Sequence, residues 1–107
     1  MSNEKKLVRL RFRDSVFRRD NFTCKGCGHK SLINNAEDEL DAHHIINRGL
    51  IENQGYVVQN GITLCCIGNN CHLKAENNEQ GFSEQELFKL IGSSRKKAIK
   101  AAKKLKG

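Results

Sequence analysis

The stretch LDAHHIINRG, residues 40–49, places two adjacent histidines in an apolar run just after an aspartate. The chain has only four histidines, so the pair needs a reason of its own. The run is typical of a short strand that ends at Gly49. Neighbouring side chains of a strand point to opposite faces, which predicts different tasks for His43 and His44. One imidazole can bind a metal, while the other can remain neutral and accept a proton.

The five cysteines lie on both sides of this stretch. Cys24 and Cys27 form a C-x-x-C pair, and the segment CCIGNNC contains the other three. Two pairs of thiolates satisfy the tetrahedral geometry of a structural zinc ion. Cys24, Cys27 and Cys71 are predicted ligands. The fourth is Cys65, which ends the apolar run GITLC, or Cys66, which leaves a shorter loop to Cys71. A redox C-x-x-C and a set of buried free thiols are the alternatives.

A metal would also compensate for a small core. The chain has 107 residues, of which 37% are hydrophobic, and contains neither Trp nor Pro. This composition predicts one domain with a modest core. The odd number of cysteines and the lack of an apolar N-terminal stretch predict a reducing, cytoplasmic location with no membrane association.

The net charge of +7 is concentrated at the two ends. Residues 1–19 hold seven Lys or Arg against two acids, and residues 95–107 hold seven more and no acid. The centre, residues 20–94, carries about −5. Basic ends are suited to a polyanion, and an acidic centre can receive a cation. The alternative is a pair of solvated terminal helices whose lysines maintain solubility.

The chain up to Cys66 is predicted to mix extended and helical segments. We expect an extended start, a short helix over about 13–20, and a polar loop over 34–39. The segment YVVQNGITLCC is predicted to be extended, with a turn at Asn60 and Gly61.

The part of the chain after Cys71 is predicted to be mainly helical. A helix is expected to begin after Cys71. Ser83 and Glu86 form a capping box, which predicts the start of the last helix, and GSS at 92–94 is where that helix can break.

The order of these motifs resembles a known family. C-x-x-C, then DAHHI, NGITLC and CH, resembles the HNH endonucleases, and RRDNFTCKGCG resembles the lead-in of zinc-containing, phage-type members. The likeness runs from about Arg18 to Glu76. It implies an α+β fold with a small ββα-metal core, the HNH or His-Me finger, stapled by a structural four-cysteine zinc and flanked by helices. The implied divisions are a basic N-terminal arm over 1–17, the zinc-stapled nuclease core over 18–80 and a basic C-terminal helix over 81–107.

The resemblance also assigns roles. His44 takes the place of the general base, His43 that of the first metal ligand, and Asn60 that of the asparagine that holds the loop. His72 takes the place of the distal metal ligand, and Glu76 falls where some members have a further one. These roles imply a metal-dependent DNA endonuclease that hydrolyses phosphodiester bonds by nicking or double-strand cleavage. The implied cofactors are the structural Zn²⁺ and a catalytic Mg²⁺ or Mn²⁺, with Zn²⁺ or Ni²⁺ as alternatives.

Some features depart from the family or remain open. Cys65 and Cys71 enclose five residues where the family has two, which is a three-residue insertion if Cys65 is the ligand. His29 is interpreted as an exposed knuckle residue or an alternative zinc donor. Asp41 either orients a histidine or caps the entry to the strand.

A core this small needs phosphate contacts from outside it to hold DNA. The predicted DNA contacts are basic side chains: Arg11, Arg13, Arg18, Arg19, Arg48, Lys96, Lys97 and Lys100. Arg48 is the one expected near the scissile bond. The expected partner is DNA, in a bacterial or phage-infected cell, and a phage packaging protein would be a further partner. The competing hypothesis is a noncatalytic zinc-ribbon DNA-binding module with structural histidines.

Overall fold

Five helices surround a two-stranded antiparallel sheet in the computed structural model, which describes residues 2–105 and, of the side chains, those of residues 5–105. The elements are α1 (Ser2–Arg19), α2 (Ala36–Glu39), β1 (Leu40–His44), β2 (Gly61–Cys65), α3 (Cys71–Glu76), α4 (Glu84–Leu90) and α5 (Arg95–Lys104). The fold is therefore α+β, as the sequence predicts. No helix within the described range has the length and apolar character needed to cross a membrane.

The two strands have unequal surroundings. All five residues of β2 are buried, whereas β1 is half-buried after its first residue, Leu40. A continuous apolar run such as GITLC is typical of a strand covered on both faces. The register places His43 opposite Ile62 and His44 opposite Gly61. Strand β1 therefore carries the accessible polar side chains of the sheet, and β2 supports them from the core.

Helix α1 packs against β2 through buried Phe12, Val16 and Phe17. A Cβ added to Gly61 would lie 2.5 Å from Val16 Cγ2 and 2.7 Å from Phe12 Cζ, so the close approach of helix and strand depends on glycine at this position. The predicted extended start is wrong. No Gly or Pro interrupts residues 2–19, and a continuous helix buries Phe12 with Val16, one turn further on.

An ion pair joins the end of α1 to β2. The Arg19 guanidinium bonds both carboxylate oxygens of Asp20 at 2.8 Å and donates to the carbonyls of Val58 and Gly61 at 2.6 Å. Asp20, which is buried, accepts a hydrogen bond from the Thr63 backbone N–H at 2.9 Å. Arg19 therefore joins the end of α1 to the start of β2 through contacts inside the protein, and its predicted contact with DNA stays a prediction.

Strand β1 ends at His44 and not, as predicted, at Gly49. The next two residues turn into the core, where Ile46 is 1% exposed. Asn47 then caps a tight turn over Arg48–Leu50 by accepting a hydrogen bond from Gly49 N–H at 3.0 Å. The second strand is preceded by a similar turn over Val58–Asn60.

The polar loop predicted over 34–39 is also wrong. A tight turn over Ile33–Asn35 leads directly into α2, whose Ala36 is buried. Acidic side chains in the first turn of a helix stabilise it, and this short helix has three there.

The C-terminal part forms two helices, separated at the predicted break. The Ser83–Glu86 capping box is confirmed, with both of its hydrogen bonds at 3.2 Å. Gly92 adopts a positive φ of 65°, and α5 begins after it. Asn53 donates hydrogen bonds of 2.7 Å to the carbonyls of Ala102 and Leu105, which ties the end of α5 to the turn over Glu52–Gly55.

Candidate metal centre and catalytic cleft

Four sulfur atoms converge at the ends of two knuckles. They belong to Cys24, Cys27, Cys65 and Cys71 and lie within 4.8 Å of one another. The fifth cysteine, Cys66, lies apart, with its Sγ donating to the Asp38 carbonyl at 3.3 Å. The geometry thus favours Cys65 over Cys66 as the fourth member of the cluster, and these four cysteines can hold a metal ion such as zinc.

Backbone N–H groups in both knuckles point at sulfur. Cys24 Sγ accepts from the N–H groups of Gly26 and Cys27 at 3.3 and 3.4 Å, and Cys65 Sγ accepts from Cys71 N–H at 3.4 Å. Gly28 adopts a positive φ of 84°, a conformation that glycine takes without strain. Such N–H groups stabilise thiolates, the form in which cysteine binds a metal.

The thiols do not all ionise easily without a cation. Burial raises the pKa of Cys65 and Cys71, and the neighbouring thiols add to the effect. Burial also raises the pKa of Cys27, but hydrogen bonds from the His29 backbone, Asn69 and the adjacent thiols outweigh it and lower that pKa to about 6. Several thiolates within 4.8 Å of one another repel unless a cation lies between them. The donor set therefore fits zinc.

A cleft of about 740 Å³ lies beside β1 and the start of α3. Its lining includes every histidine outside the knuckles and charged groups of both signs: Arg9, Arg13, Asp41, His43, His44, Arg48, His72, Glu76 and Glu84. The candidate catalytic residues therefore share one solvent-accessible space, which is where ligand sites are usually found.

His43 and His72 face each other in this cleft. Their ring centroids are 5.2 Å apart at an angle of 70°. Asp41, two positions before His43 and hence on the same face of β1, approaches His72 Nδ1 with its Oδ2 at 2.9 Å. On the far side of the ring, His72 Nε2 lies 3.7 Å from Glu76 Oε1, one helical turn away.

This arrangement fits a cation-binding histidine. Its hydrogen bond to Asp41 raises the pKa of His72, and the same bond lowers the pKa of Asp41. A histidine that donates one ring N–H to a carboxylate presents its other nitrogen to a metal. Two donors about 2.1 Å from one ion lie about 3.4 Å apart in tetrahedral geometry, so the 3.7 Å between His72 Nε2 and Glu76 Oε1 is close to what a shared cation needs.

His43, the other imidazole of the pair, is held neutral. Burial, together with the charge of His72, lowers the pKa of His43 to about 4. Two imidazoles leave coordination positions open, as a catalytic metal site requires. In the described part of the chain, the four-cysteine cluster is the group in which three or more donors already lie close enough to share an ion. Among the described residues, the histidine pair therefore has no third donor at that distance.

His44 lies on the other face of β1. Its ring stacks on Phe12, with centroids 4.4 Å apart at 20°, and contacts the edge of Tyr56 at 4.8 Å and 82°. Burial, followed by the charges of Arg48 and His43, lowers the pKa of His44 to about 4. Its Nε2 is buried and has no hydrogen-bond partner within residues 5–105. A histidine with a purely structural role would normally have this nitrogen satisfied.

Asn60 determines the path of the chain just after His44. Its side chain is completely buried and accepts a hydrogen bond from Ile46 N–H at 2.8 Å. Its amide donates to the carbonyls of Ile46 and Gly55 at 3.2 Å, and its own carbonyl accepts from Ile45 N–H at 2.9 Å. Asn60, which the sequence predicts to be a turn residue, therefore also holds the segment after β1 against the segment before β2 through buried hydrogen bonds.

The remaining predicted residues are neither members of the cysteine cluster nor histidines of the cleft. His29 Nε2 is 2.7 Å from Glu39 Oε1 and is not part of the four-cysteine cluster. Arg48 lines the cleft, as does Arg13, which also bonds Glu37 at 3.1 Å. The other predicted DNA contacts are exposed on α1 and α5: Arg11, Arg18, Lys96, Lys97 and Lys100.

Sequence reasoning missed the surroundings of His44. Phe12 and Arg9 lie one turn apart on α1 and both line the cleft. A helix extended to the N-terminus would have placed them on one face, but no local signal pointed that face at His44. Tyr56 carried no signal at all.

No family model, curated protein or solved structure matches this chain. The described residues define a small α+β protein with a candidate four-cysteine metal centre. Its function is therefore inferred from its own side chains and their geometry.

Proposed function

We propose that this protein is a metal-dependent HNH-type DNA endonuclease that hydrolyses phosphodiester bonds, with His44 as the general base. The observation that carries the proposal is the separation of two kinds of histidine in one cleft. His43 and His72 face each other beside carboxylates, whereas His44 lies on the opposite face of the same strand in an apolar setting.

The order of elements also supports the proposal. Strands β1 and β2 are followed by α3, His44 is at the end of β1, and His72 is in the first turn of α3. This is the order that the ββα-metal resemblance implies. The four-cysteine cluster connects the first residue of α3 to the end of β2, so a zinc ion there would hold α3, and with it His72, against the sheet.

Each side chain has a task that follows from its environment. His43 and His72 would hold the catalytic cation through ring nitrogens, with Asp41 keeping His72 in the required tautomer and Glu76 available as a further ligand. A divalent cation bound there supplies positive charge to phosphate oxygens that become more negative in the transition state.

His44 takes a proton from the attacking water. A base must be unprotonated to act, and the depressed pKa of His44, about 4, keeps its imidazole neutral at physiological pH. Asn60 contributes by fixing the backbone of Ile46, two residues after the base. Exposed arginines and lysines on α1 and α5 would then contact DNA phosphates without reading sequence.

The competing function is a noncatalytic zinc-ribbon DNA-binding module. The observation that favours it is that the cysteine cluster is complete, whereas the histidine pair lacks a third close ligand among the described residues. This module would bind DNA without cleaving it under any divalent metal, and it would lose its fold when His43 is replaced.

Nicking of supercoiled plasmid with added Mg²⁺ or Mn²⁺ separates the two functions. We expect the wild type to nick, and His44→Ala to lose about 100- to 10,000-fold of the rate, the usual contribution of a general base, with unchanged zinc content. The matched control is His29→Ala, which removes a half-buried imidazole outside the cleft and is expected to retain activity. Full activity of His44→Ala would contradict the mechanism, and binding without nicking in the wild type would favour the module.

A further inference from the structure

Two arginines meet at one tyrosine beside His44. Arg48 donates a hydrogen bond from Nη1 to the Tyr56 hydroxyl at 3.0 Å. Arg9 acts on the same hydroxyl: burial raises the pKa of Tyr56, but hydrogen bonding and charge from Arg48 and Arg9 outweigh it and lower that pKa. All three side chains line the cleft.

This group has an unbalanced positive charge. Neither Arg9 nor Arg48 forms an ion pair with a carboxylate anywhere in residues 5–105. A neutral hydroxyl orients two guanidinium groups but does not cancel their mutual repulsion. An anion with several acceptor oxygens would relieve that repulsion, and guanidinium groups match phosphate in both charge and geometry.

The position of the group relative to His44 is set by helix α1. Arg9 and Phe12 are three residues apart, so they lie on the same face of the helix. Phe12 stacks on the His44 ring, and Tyr56 contacts the edge of that ring. The packing that holds His44 therefore also places Tyr56 and the turn of α1 that carries Arg9 beside it.

We propose that Arg9, Arg48 and Tyr56 form an anion subsite that binds one backbone phosphate of the nucleic acid next to His44. The proposal rests on the proposed function, because it names the contact that would hold the substrate close to the base. Tyr56 accepts a hydrogen bond from Arg48 and keeps its own O–H to donate to the phosphate. Helix α1 is then part of the substrate site rather than a separate basic arm.

The chain contains a probe for this subsite. It has one tyrosine and no tryptophan, so intrinsic fluorescence reports on Tyr56 alone. Zinc-loaded protein without added Mg²⁺ or Mn²⁺ is titrated with a thymidine dinucleoside phosphodiester, with inorganic phosphate, and with chloride at matched ionic strength. We expect a saturable change with the dinucleotide and none with chloride. A response to inorganic phosphate alone would assign the group to a free ion and contradict the subsite.

Substitutions assign the binding to these residues. Arg9 and Arg48 are exposed, so alanine there should leave the fold intact. By calorimetry, Arg9→Ala and Arg48→Ala are each expected to weaken dinucleotide binding about tenfold, the effect of losing a charge-assisted hydrogen bond. The double variant is expected to lose less than the product of the two, because both residues hold one phosphate. The matched control, Lys89→Ala on α4, removes an exposed cation outside the cleft lining and is expected to bind as the wild type does.

The outcomes distinguish the subsite from the nuclease. Equal weakening by Lys89→Ala, or no saturable response to the dinucleotide, would refute the subsite even if the protein nicks DNA. A protein that binds the dinucleotide through Arg9 and Arg48 but never cleaves DNA would support the subsite and refute the nuclease.

Discussion

Replacement of Asn60 by alanine should lower the free energy of unfolding more than any single substitution at the protein surface. The substitution removes three hydrogen bonds, one from Ile46 N–H and two to the carbonyls of Ile46 and Gly55. Each is worth about 1 kcal/mol net, and the buried Ile46 N–H left without a partner costs about 1–3 kcal/mol more. We expect a total loss of about 4–6 kcal/mol, a large part of the roughly 5–15 kcal/mol that stabilises a typical domain.

The assay is urea denaturation of zinc-loaded protein, followed by circular dichroism. Asn47→Ala is the matched control, because it removes an asparagine that makes one exposed hydrogen bond, to Gly49 N–H at 3.0 Å. That control should cost less than about 1 kcal/mol. If Asn60→Ala costs no more than Asn47→Ala, the buried hydrogen bonds of Asn60 are not what holds the segment after His44.

Three further predictions concern the zinc cluster and the packing of α1. Cys65→Ser should lower bound zinc and stability, whereas Cys66→Ser should keep both, as measured by metal analysis and thermal melting; equal zinc in the two variants would contradict the ligand assignment. Removal of zinc by a strong chelator should lower the helical signal in circular dichroism, and adding zinc back should restore it; full structure without zinc would show that the cluster is not needed for folding. Gly61→Ala should destabilise the protein by about 1–3 kcal/mol through overlap with Val16 and Phe12; an unchanged denaturation midpoint would refute that close packing.

The cysteine cluster is the part of the site that the sequence predicts best. Cys24 and Cys27 sit in a short knuckle whose geometry depends on local spacing and on Gly28. The choice between Cys65 and Cys66 was open because it depends on which residue ends β2. Only the pairing of the strands decides that, and it involves residues far apart in the chain.

The opposite orientation of His43 and His44 also follows from a local rule, the alternation of side chains along a strand. The residues that contact these two histidines cannot be found by such a local rule. His72 comes from α3 and Phe12 from α1, and sequence spacing alone does not show which helix packs on which face of the sheet. The role of Asp41 was open for the same reason, because its hydrogen bond to His72 spans a long stretch of chain.

In helix α1, charged surface residues obscure the helical pattern of the sequence. Arginines alternate with apolar residues in the segment RLRFR at positions 9–13, a pattern that resembles an extended segment. Packing of Phe12 and Val16 against Gly61 favours the helix instead. The charge of Arg19 likewise gives no sign of its bonds to Asp20 and to the carbonyls of Val58 and Gly61.

The division of labour between His43 and His44 can be tested most directly by measuring the DNA cleavage rate across a Mn²⁺ titration for wild type, His43→Ala and His44→Ala. If His43 holds the cation, His43→Ala should need a much higher Mn²⁺ concentration than the wild type. Its cleavage rate should recover as that concentration is raised. If His44 is the base, its variant should show the same Mn²⁺ dependence as the wild type but a rate about 100- to 10,000-fold lower at saturation. Recovery of His44→Ala by excess Mn²⁺, with His43→Ala unresponsive, would contradict this account.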